Sequence, residues 1–382
     1  MNYIDAARIL IKKENPMSQL FSEMKLGPLV LPNRIIIAPM CQYSAEDGQA
    51  TGWHTIHLGN LALSGAGMMI LEATAVNPRG RISYADLGLW DDATEAALAK
   101  ALAPVRKYSD MLIGVQLAHA GRKASTQKPW EGGAAIAPDA PNGWLTIAPS
   151  SVPFHDNAPL PEAAGEKDLQ AISADFAAAA VRADRIGLDA IEIHGAHGYL
   201  LHQFLSPLCN KRSDQYGGSL ENRMRLLLEV FEAVRLVFPK NKAVSVRISA
   251  TDWVEGGWGL EQSLVLAREL ERRGCDAIHV SSGGASPLQQ IPVAPCFQVP
   301  LARAVKKVVS MPVIAVGLIT TAGQAENILA AGQADAVALA RGILYDPRWP
   351  WHAAAELGAS VVAAPQYLRS APADARALLV QK

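Results

Sequence analysis

Short apolar runs recur along the chain, several of them preceded within a few residues by a glycine. Gly187 leads into Asp189–Ile193, Gly274 into Asp276–Val280, Gly332 into Asp335–Leu339, and Gly65 or Gly67 into Met68–Leu71. Glycine is the residue with which helices most readily end in a left-handed turn, and apolar runs this short read as strands. Ile35–Met40, Leu112–Leu117, Val244–Ile248 and Pro312–Val316 bring the strand candidates to eight. Between them, helical spacing of apolar positions predicts helices over Asp168–Ile186, Leu220–Val237, Leu260–Arg273, Leu301–Val309 and Ala322–Ala331. Strands that are apolar throughout are buried on both faces, as in a parallel sheet covered by helices. Eight such units predict an α/β fold of the (β/α)8 TIM barrel type. A doubly wound open sheet is the competing architecture, but no G-x-G-x-x-G follows a strand.

One connection breaks the rhythm. The 50 residues 118–167 hold seven prolines and five glycines, 24% against about 14% for the whole chain. A connection that long calls for a function, and after strand three it emerges at the face where barrel active sites lie. It is read as a cap or lid, with a plain surface excursion as the alternative. Residues 18–360 then form the barrel, 1–17 an N-terminal extension and 361–382 a C-terminal tail.

Composition narrows the function classes. With 35 Lys and Arg against 36 Asp and Glu, the net charge of −1 argues against a nucleic-acid binder. No apolar stretch approaches the ~20 residues that span a bilayer. Met1–Met17 has neither a secretory h-region nor a small-residue cleavage site, so a cytoplasmic protein is expected. Cys41, Cys209, Cys275 and Cys296 form no C-x-x-C pair, which speaks against zinc ribbons and the usual iron–sulfur spacings.

In a barrel the residues leaving each strand converge on one mouth. These are Pro39–Tyr43, Glu72–Thr74, Gln116–His119, His194–Tyr199, Arg247, Gly317 and Ala340-Arg341. His194 and His197 flank small residues, so two imidazoles can enter one cavity and donate hydrogen bonds to a substrate oxygen. Tyr199 offers a phenolic proton suited to protonating a carbanion. Glu192, deeper on the strand face of His194, keeps a metal site among the readings. Gly317, the possible helix caps Thr320 and Thr321, and Arg341 lie where barrels commonly hold a phosphate, on substrate or cofactor. His54 and His57 share a helical face, with packing or capping as probable as a ligand contact. Trp144 either shapes a pocket or pins the long loop.

Four phrases carry a resemblance: Pro39-Met40-Cys41-Gln42-Tyr43, Gln116 to Lys123, His194 to Leu200, and Asn210-Lys211-Arg212-Ser213-Asp214-Gln215-Tyr216-Gly217-Gly218-Ser219-Leu220-Glu221-Asn222-Arg223. From roughly Leu20 to Arg369 the chain resembles the old yellow enzymes, flavin-dependent ene-reductases, in the bacterial class that includes the xenobiotic reductases. The resemblance implies FMN as cofactor and NADPH or NADH as reductant. Ala38, Pro39, Met40, Cys41, Ala73, Gln116 and Arg247 would hold the flavin ring, with Cys41 tuning its potential. Gly317, Ala340 and Arg341 would bind the phosphate, although the family more often has glycine where Ala340 stands.

The implied reaction is ping-pong reduction of the activated C=C bond of an α,β-unsaturated carbonyl compound. His194 and His197 bind the carbonyl oxygen, hydride passes from flavin N5 to the β-carbon, Tyr199 protonates the α-carbon, and Tyr43 positions the substrate. In this class an arginine near the C-terminus reaches a neighbour's site, which points to Arg369 and a homodimer. Here Ser370-Ala371-Pro372 replaces the aromatic residue expected after it. Rival readings are a 2,4-dienoyl-CoA reductase, which needs an iron–sulfur cluster and more domains, a metal-dependent barrel hydrolase using His194 and His197, and a non-catalytic binding barrel.

Overall fold

The computed structural model describes residues 18–373 and 375–381; the predicted extension 1–17 lies outside them. Eight parallel strands close into a barrel: β1 (Ile35–Ile37), β2 (Met68–Ala75), β3 (Leu112–Ala118), β4 (Ala190–Gly195), β5 (Ala243–Ser249), β6 (Ala277–Ser281), β7 (Val313–Ala315) and β8 (Ala336–Leu339). Each strand pairs with its sequence neighbours, and β8 closes on β1 through Val337–Ile35, Ala338–Ile36 and Leu339–Ile37. The longer helices are α1 (Gly52–Ala62), α2 (Asp92–Tyr108), α3 (Glu166–Arg185), α4 (Leu220–Val237), α5 (Leu260–Arg272), α6 (Val299–Lys306), α7 (Ala322–Ala330) and α8 (Trp349–Leu357). The (β/α)8 barrel read from the apolar runs is therefore the fold.

Alternation along each strand explains why the runs are apolar throughout. Ile35, Ile37, Met69, Leu71, Ile113, Val115, Ile191, Ile193, Val244 and Val246 face outward and pack with the helices. Ile36, Met68, Ile70, Ala190, Ala243, Ala277, Ile314 and Ala336 face inward, where Met24, Leu26 and Leu31 of an antiparallel hairpin (Met24–Leu26 with Leu29–Leu31) plug the base. Both faces are buried, as expected of a parallel sheet covered by helices.

The base is fastened by a device used three times. Asp189 Oδ2 accepts the Ile113 N–H at 2.8 Å, Asp276 Oδ2 that of Val244 at 2.8 Å, and Asp335 Oδ2 that of Val313 at 2.9 Å. Each aspartate returns its own N–H to the carbonyl of the same residue. A cation from the helix before the odd strand completes each clamp: Arg106 at 2.6 Å, Arg235 at 3.3 Å and Lys306 at 2.6 Å. At β2 the corresponding residue is Gly67, whose added Cβ would lie 2.4 Å from the Asn33 carbonyl oxygen, so no clamp fits.

Some boundaries differ from the pattern. β1 ends at Ile37, so Ala38–Met40 already belongs to the mouth. Helices α1, α2 and α8 were not marked by periodicity: α1 mixes Trp and His with Gly, and α2 carries Pro104 internally. The 118–167 excursion contains a two-residue parallel pair, Ile147–Ala148 with Glu162–Ala163.

Candidate active site

The strand-four tip turns back on itself. After Gly195, His197 (φ 57°) and Gly198 (φ 73°) adopt left-handed conformations, and an added Cβ on Gly198 would lie 2.0 Å from the Gly284 carbonyl oxygen. Only glycine fits so close an approach of two backbones. The reversal stacks three rings edge to face: His194 lies 5.1 Å from His197 and 4.9 Å from Tyr199, centroid to centroid. Ser249 Oγ accepts the His197 N–H at 2.9 Å and donates to the Gly283 carbonyl at 2.8 Å. Lys123 Nζ donates to the His197 carbonyl at 2.9 Å and to that of Gly284 at 3.1 Å, and lies 5.1 Å from the Tyr199 ring centroid. Residues from β3, β4, β5 and the β6 loop thus aim one turn.

Proton positions follow from the network. His194 Nδ1 accepts the Ala196 N–H at 3.2 Å, which places the ring proton on Nε2. The Ser281 hydroxyl lies 2.7 Å from His197 Nε2 and 3.3 Å from Gln298 Oε1, which already accepts from Ser282 at 2.7 Å. Ser281 donating to Nε2 leaves the His197 proton on Nδ1. Burial first, and then the Arg247 charge, hold both imidazoles well below their ordinary pKa, so both are neutral donors near pH 7. Burial, with Cys41 and Tyr43 nearby, pushes the Tyr199 phenol well above its ordinary value, so it keeps its proton until a strong base appears. Burial likewise keeps Cys41 a thiol; its side chain lies against Tyr43 and the Ala73 backbone.

The remaining predicted residues fall into two groups. Ala38, Ala73, Gln116 and Arg247 are buried at or near the strand tips, with Met40 and Tyr43 half-buried beside them. Gly317 (φ 116°) extends β7 next to the end of β8, where Ala340 and Arg341 begin a short helical turn. Thr321 caps α7, accepting the Gln324 N–H. Arg369 does not join them. Its turn, Pro365–Ser370, overlaps the stretch Val362–Gln366, which lines a cavity at the base with Asn33, Gly67 and Leu112, and Arg369 itself is exposed.

Other expectations resolve structurally. His54 Nδ1 accepts the Thr51 N–H at 2.9 Å and caps α1, and His57 stacks on Trp53. Glu192 faces Gln116 and His279 rather than the histidine pair, and among the described residues no group of three His, Cys, Asp or Glu is disposed to hold a metal. Trp144 both pins the loop, donating to the Arg79 carbonyl, and lines a cleft of about 750 Å³ with Tyr43, Arg81, Tyr84, Lys128 and Trp130. The long Asn210–Arg223 phrase is scaffold: Asn210 Nδ2 bonds the Phe204 and Tyr216 carbonyls, and Arg212 those of Pro149 and Ala164 in the excursion. Sequence reasoning assigned no role to Lys123, Ser249, Ser281, His279 or Gln298. Lys123 stood inside a quoted phrase, and the serines at strand tips were the available signal.

The residues fit FMN. Arg247 Nε is buried without a partner among the described residues, a free donor at the mouth. Gln116 donates Nε2–H to Glu192 at 2.7 Å and keeps Oε1 as an acceptor, so an acceptor and a cationic donor stand together for a ring edge bearing N–H and C=O groups. Backbone N–H groups at a helical start beside Arg341 suit a phosphate.

Comparisons with known proteins agree. A model of the NADH:flavin oxidoreductase / NADH oxidase family matches residues 19–359. An NADH:flavin oxidoreductase of Gibberella zeae is 43% identical over 366 residues, covering 91% of this chain and 88% of its own. The NADPH dehydrogenase of Geobacillus thermodenitrificans is 42% identical over 352 residues, covering 92% and 98%. Morphinone reductase in complex with tetrahydroNAD superposes with a TM-score of 0.72 at 30% identity, over 90% of this chain and 91% of that one. A 2-naphthoyl-CoA reductase shares the fold, with a TM-score of 0.79 at 23% identity; the match covers 89% of this chain and 52% of that longer one.

Proposed function

Because the chain belongs to the NADH:flavin oxidoreductase / NADH oxidase family, we propose that it reduces the activated C=C bond of α,β-unsaturated carbonyl compounds in a ping-pong cycle. It is an FMN-dependent NADPH oxidoreductase of the old yellow enzyme type. The observation that carries the finer reading is the convergence of two neutral imidazole donors and one high-pKa phenol within about 5 Å at a barrel mouth.

FMN, when bound against Ala38–Cys41, Ala73, Gln116 and Arg247, would supply the hydride-transfer chemistry that no side chain can perform. The residues do the rest. His194 Nε2–H and His197 Nδ1–H bind the carbonyl oxygen, and they bind it more tightly as enolate charge develops, which lowers the barrier. Neutral imidazoles suit this role because no proton is lost to the oxygen before the bond forms. Tyr199 gives its proton to the α-carbon, and the Lys123 ammonium against its ring stabilises the phenolate left behind. Tyr43, edge-on to Trp130 at 6.0 Å, positions the substrate from the cleft. Residues 118–167 act as the lid, held to the mouth by Arg122, which donates to the Val152, Pro153 and Ala285 carbonyls. Arg369, remote from its own mouth, serves a neighbour's site in a homodimer, and a monomer by light scattering would overturn that part.

The test is a pair of anaerobic half-reactions on purified yellow protein. NADPH should bleach the flavin absorbance, and cyclohexenone should restore it. Bleaching by NADPH with no recovery on any enone, maleimide or nitroalkene would sink the substrate assignment and leave the NADPH oxidoreductase intact.

A further inference from the structure

One layer below the mouth, a buried cluster joins Gln116 to two residues, Glu192 and His279, that the reaction above does not use. Glu192 Oε1 accepts the Gln116 Nε2–H at 2.7 Å, and Glu192 Oε2 accepts the His279 Nδ1–H at 2.8 Å. The three side chains are 1%, 2% and 0% exposed for Glu192, Gln116 and His279, so this is barrel interior. Glu192 on β4 reaches His279 on β6 across β5 because the residue in register with Glu192 is the small Ser245, whose hydroxyl turns back to the Ile191 carbonyl. Two positions further along β5 is Arg247, in register with both His194 and His279.

The protonation states follow. Burial pushes Glu192 up, but His279 and Arg247 outweigh it and hold the carboxyl below its ordinary value, so it is a carboxylate. Burial and Arg247 push His279 down, and its Nε2 has no partner, as suits a neutral ring with its proton on Nδ1. A carboxylate can only accept hydrogen bonds. Gln116 must therefore turn its NH₂ toward Glu192 and its carbonyl oxygen away. The same negative charge stands among the groups that oppose Arg247.

We propose that Glu192, held by His279, is a positioning residue that fixes the Gln116 amide and offsets part of the Arg247 charge, and so sets the reduction potential of FMN bound at the mouth. This rests on the FMN reading. Reduced flavin carries more negative charge than oxidised flavin, so an unopposed Arg247 favours the reduced form; Glu192 keeps the potential low enough for hydride to pass onward.

The test is the midpoint potential of the FMN-loaded protein, read by dye-equilibrated titration at the flavin absorbance bands. Glu192→Gln should bind reduced FMN better relative to oxidised FMN by about tenfold, an upward shift of about 30 mV for a two-electron couple. His279→Leu removes the donor that helps hold Glu192 ionised, so part of the carboxylate takes up a proton and the potential should move the same way by less. It decides the matter if Glu192→Gln fails to fold. A purely structural role would weaken both redox forms alike and leave the potential unmoved. An unmoved or lowered potential overturns the proposal, whereas wild-type protein that binds no FMN overturns the cofactor reading instead.

Discussion

Two lysines at opposite ends of the barrel frame what the molecule is built to do. At the base, the Lys306 ammonium meets both Asp335 oxygens, at 2.6 and 2.8 Å. At the mouth, the Lys123 ammonium meets two backbone carbonyls and two aromatic faces, Tyr199 at 5.1 Å and Phe154 at 4.7 Å, and no carboxylate among the described residues. Burial pushes Lys123 down to about 8. Each clamp at the base pairs its charges and gains fold stability. The mouth leaves charge and donor capacity uncommitted, which costs stability and supplies the field that a developing enolate and phenolate require.

That division can be broken from either side. Tyr199→Phe should slow enone reduction by roughly 10²–10⁴-fold, the usual contribution of a general acid. It should leave flavin reduction by NADPH and the melting temperature nearly unchanged. Stopped-flow measurement of both half-reactions checks this, and equal losses in the two would remove the acid from the mechanism.

At the other end, Asp189→Ala leaves the Ile113 N–H without its acceptor and Arg106 without its counter-ion, although the guanidinium keeps the Met111 and Gly187 carbonyls, and should cost about 1–3 kcal/mol of stability. Activity per folded molecule should stay at the wild-type level, with denaturant unfolding as the readout.

A smaller effect sharpens the comparison through pH. The unfolded chain holds its lysine protons to about 10.4, so between pH 8 and that value it binds a proton that folded Lys123 has released. This group therefore makes stability rise with pH across that window. Lys123→Met should remove its share of the rise, measured as the difference in unfolding midpoint between pH 8 and pH 10. Smallest of all, Ala340→Gly should change FMN affinity by less than about threefold. Ala340 has φ −118°, so the position does not call for the positive φ that glycine supplies, and its N–H is retained. Titration of apoprotein with FMN reads it.

Apolar runs, four of them after glycines, identify all eight strands, because burial on both faces keeps most positions apolar even where Gln116, Glu192, Arg247 and His279 interrupt them. The three clamp aspartates stood in the same runs, but nothing in one sequence pairs Asp189 with Arg106, a contact made by closing the barrel. His194, His197 and Tyr199 were legible as a group, since a reversal through Gly198 can only bring them together. Lys123 was not, because its role comes from a carbonyl 74 positions away. The Asn210–Arg223 phrase taught the converse lesson. The most particular stretch of sequence binds excursion to barrel, and its specificity lies in carbonyls that must all be met at once.

The clamps join β3 to β4, β5 to β6 and β7 to β8, and none crosses from β4 to β5 or from β6 to β7. The cylinder therefore has seams. A chain severed between β4 and α4 would leave each of the three clamps within one fragment or the other, and a break inside a clamped pair would not. Two co-expressed halves parted at that seam keep their own closures, and each carries a share of the mouth: the paired imidazoles on one piece, Arg247 and the phosphate turn on the other.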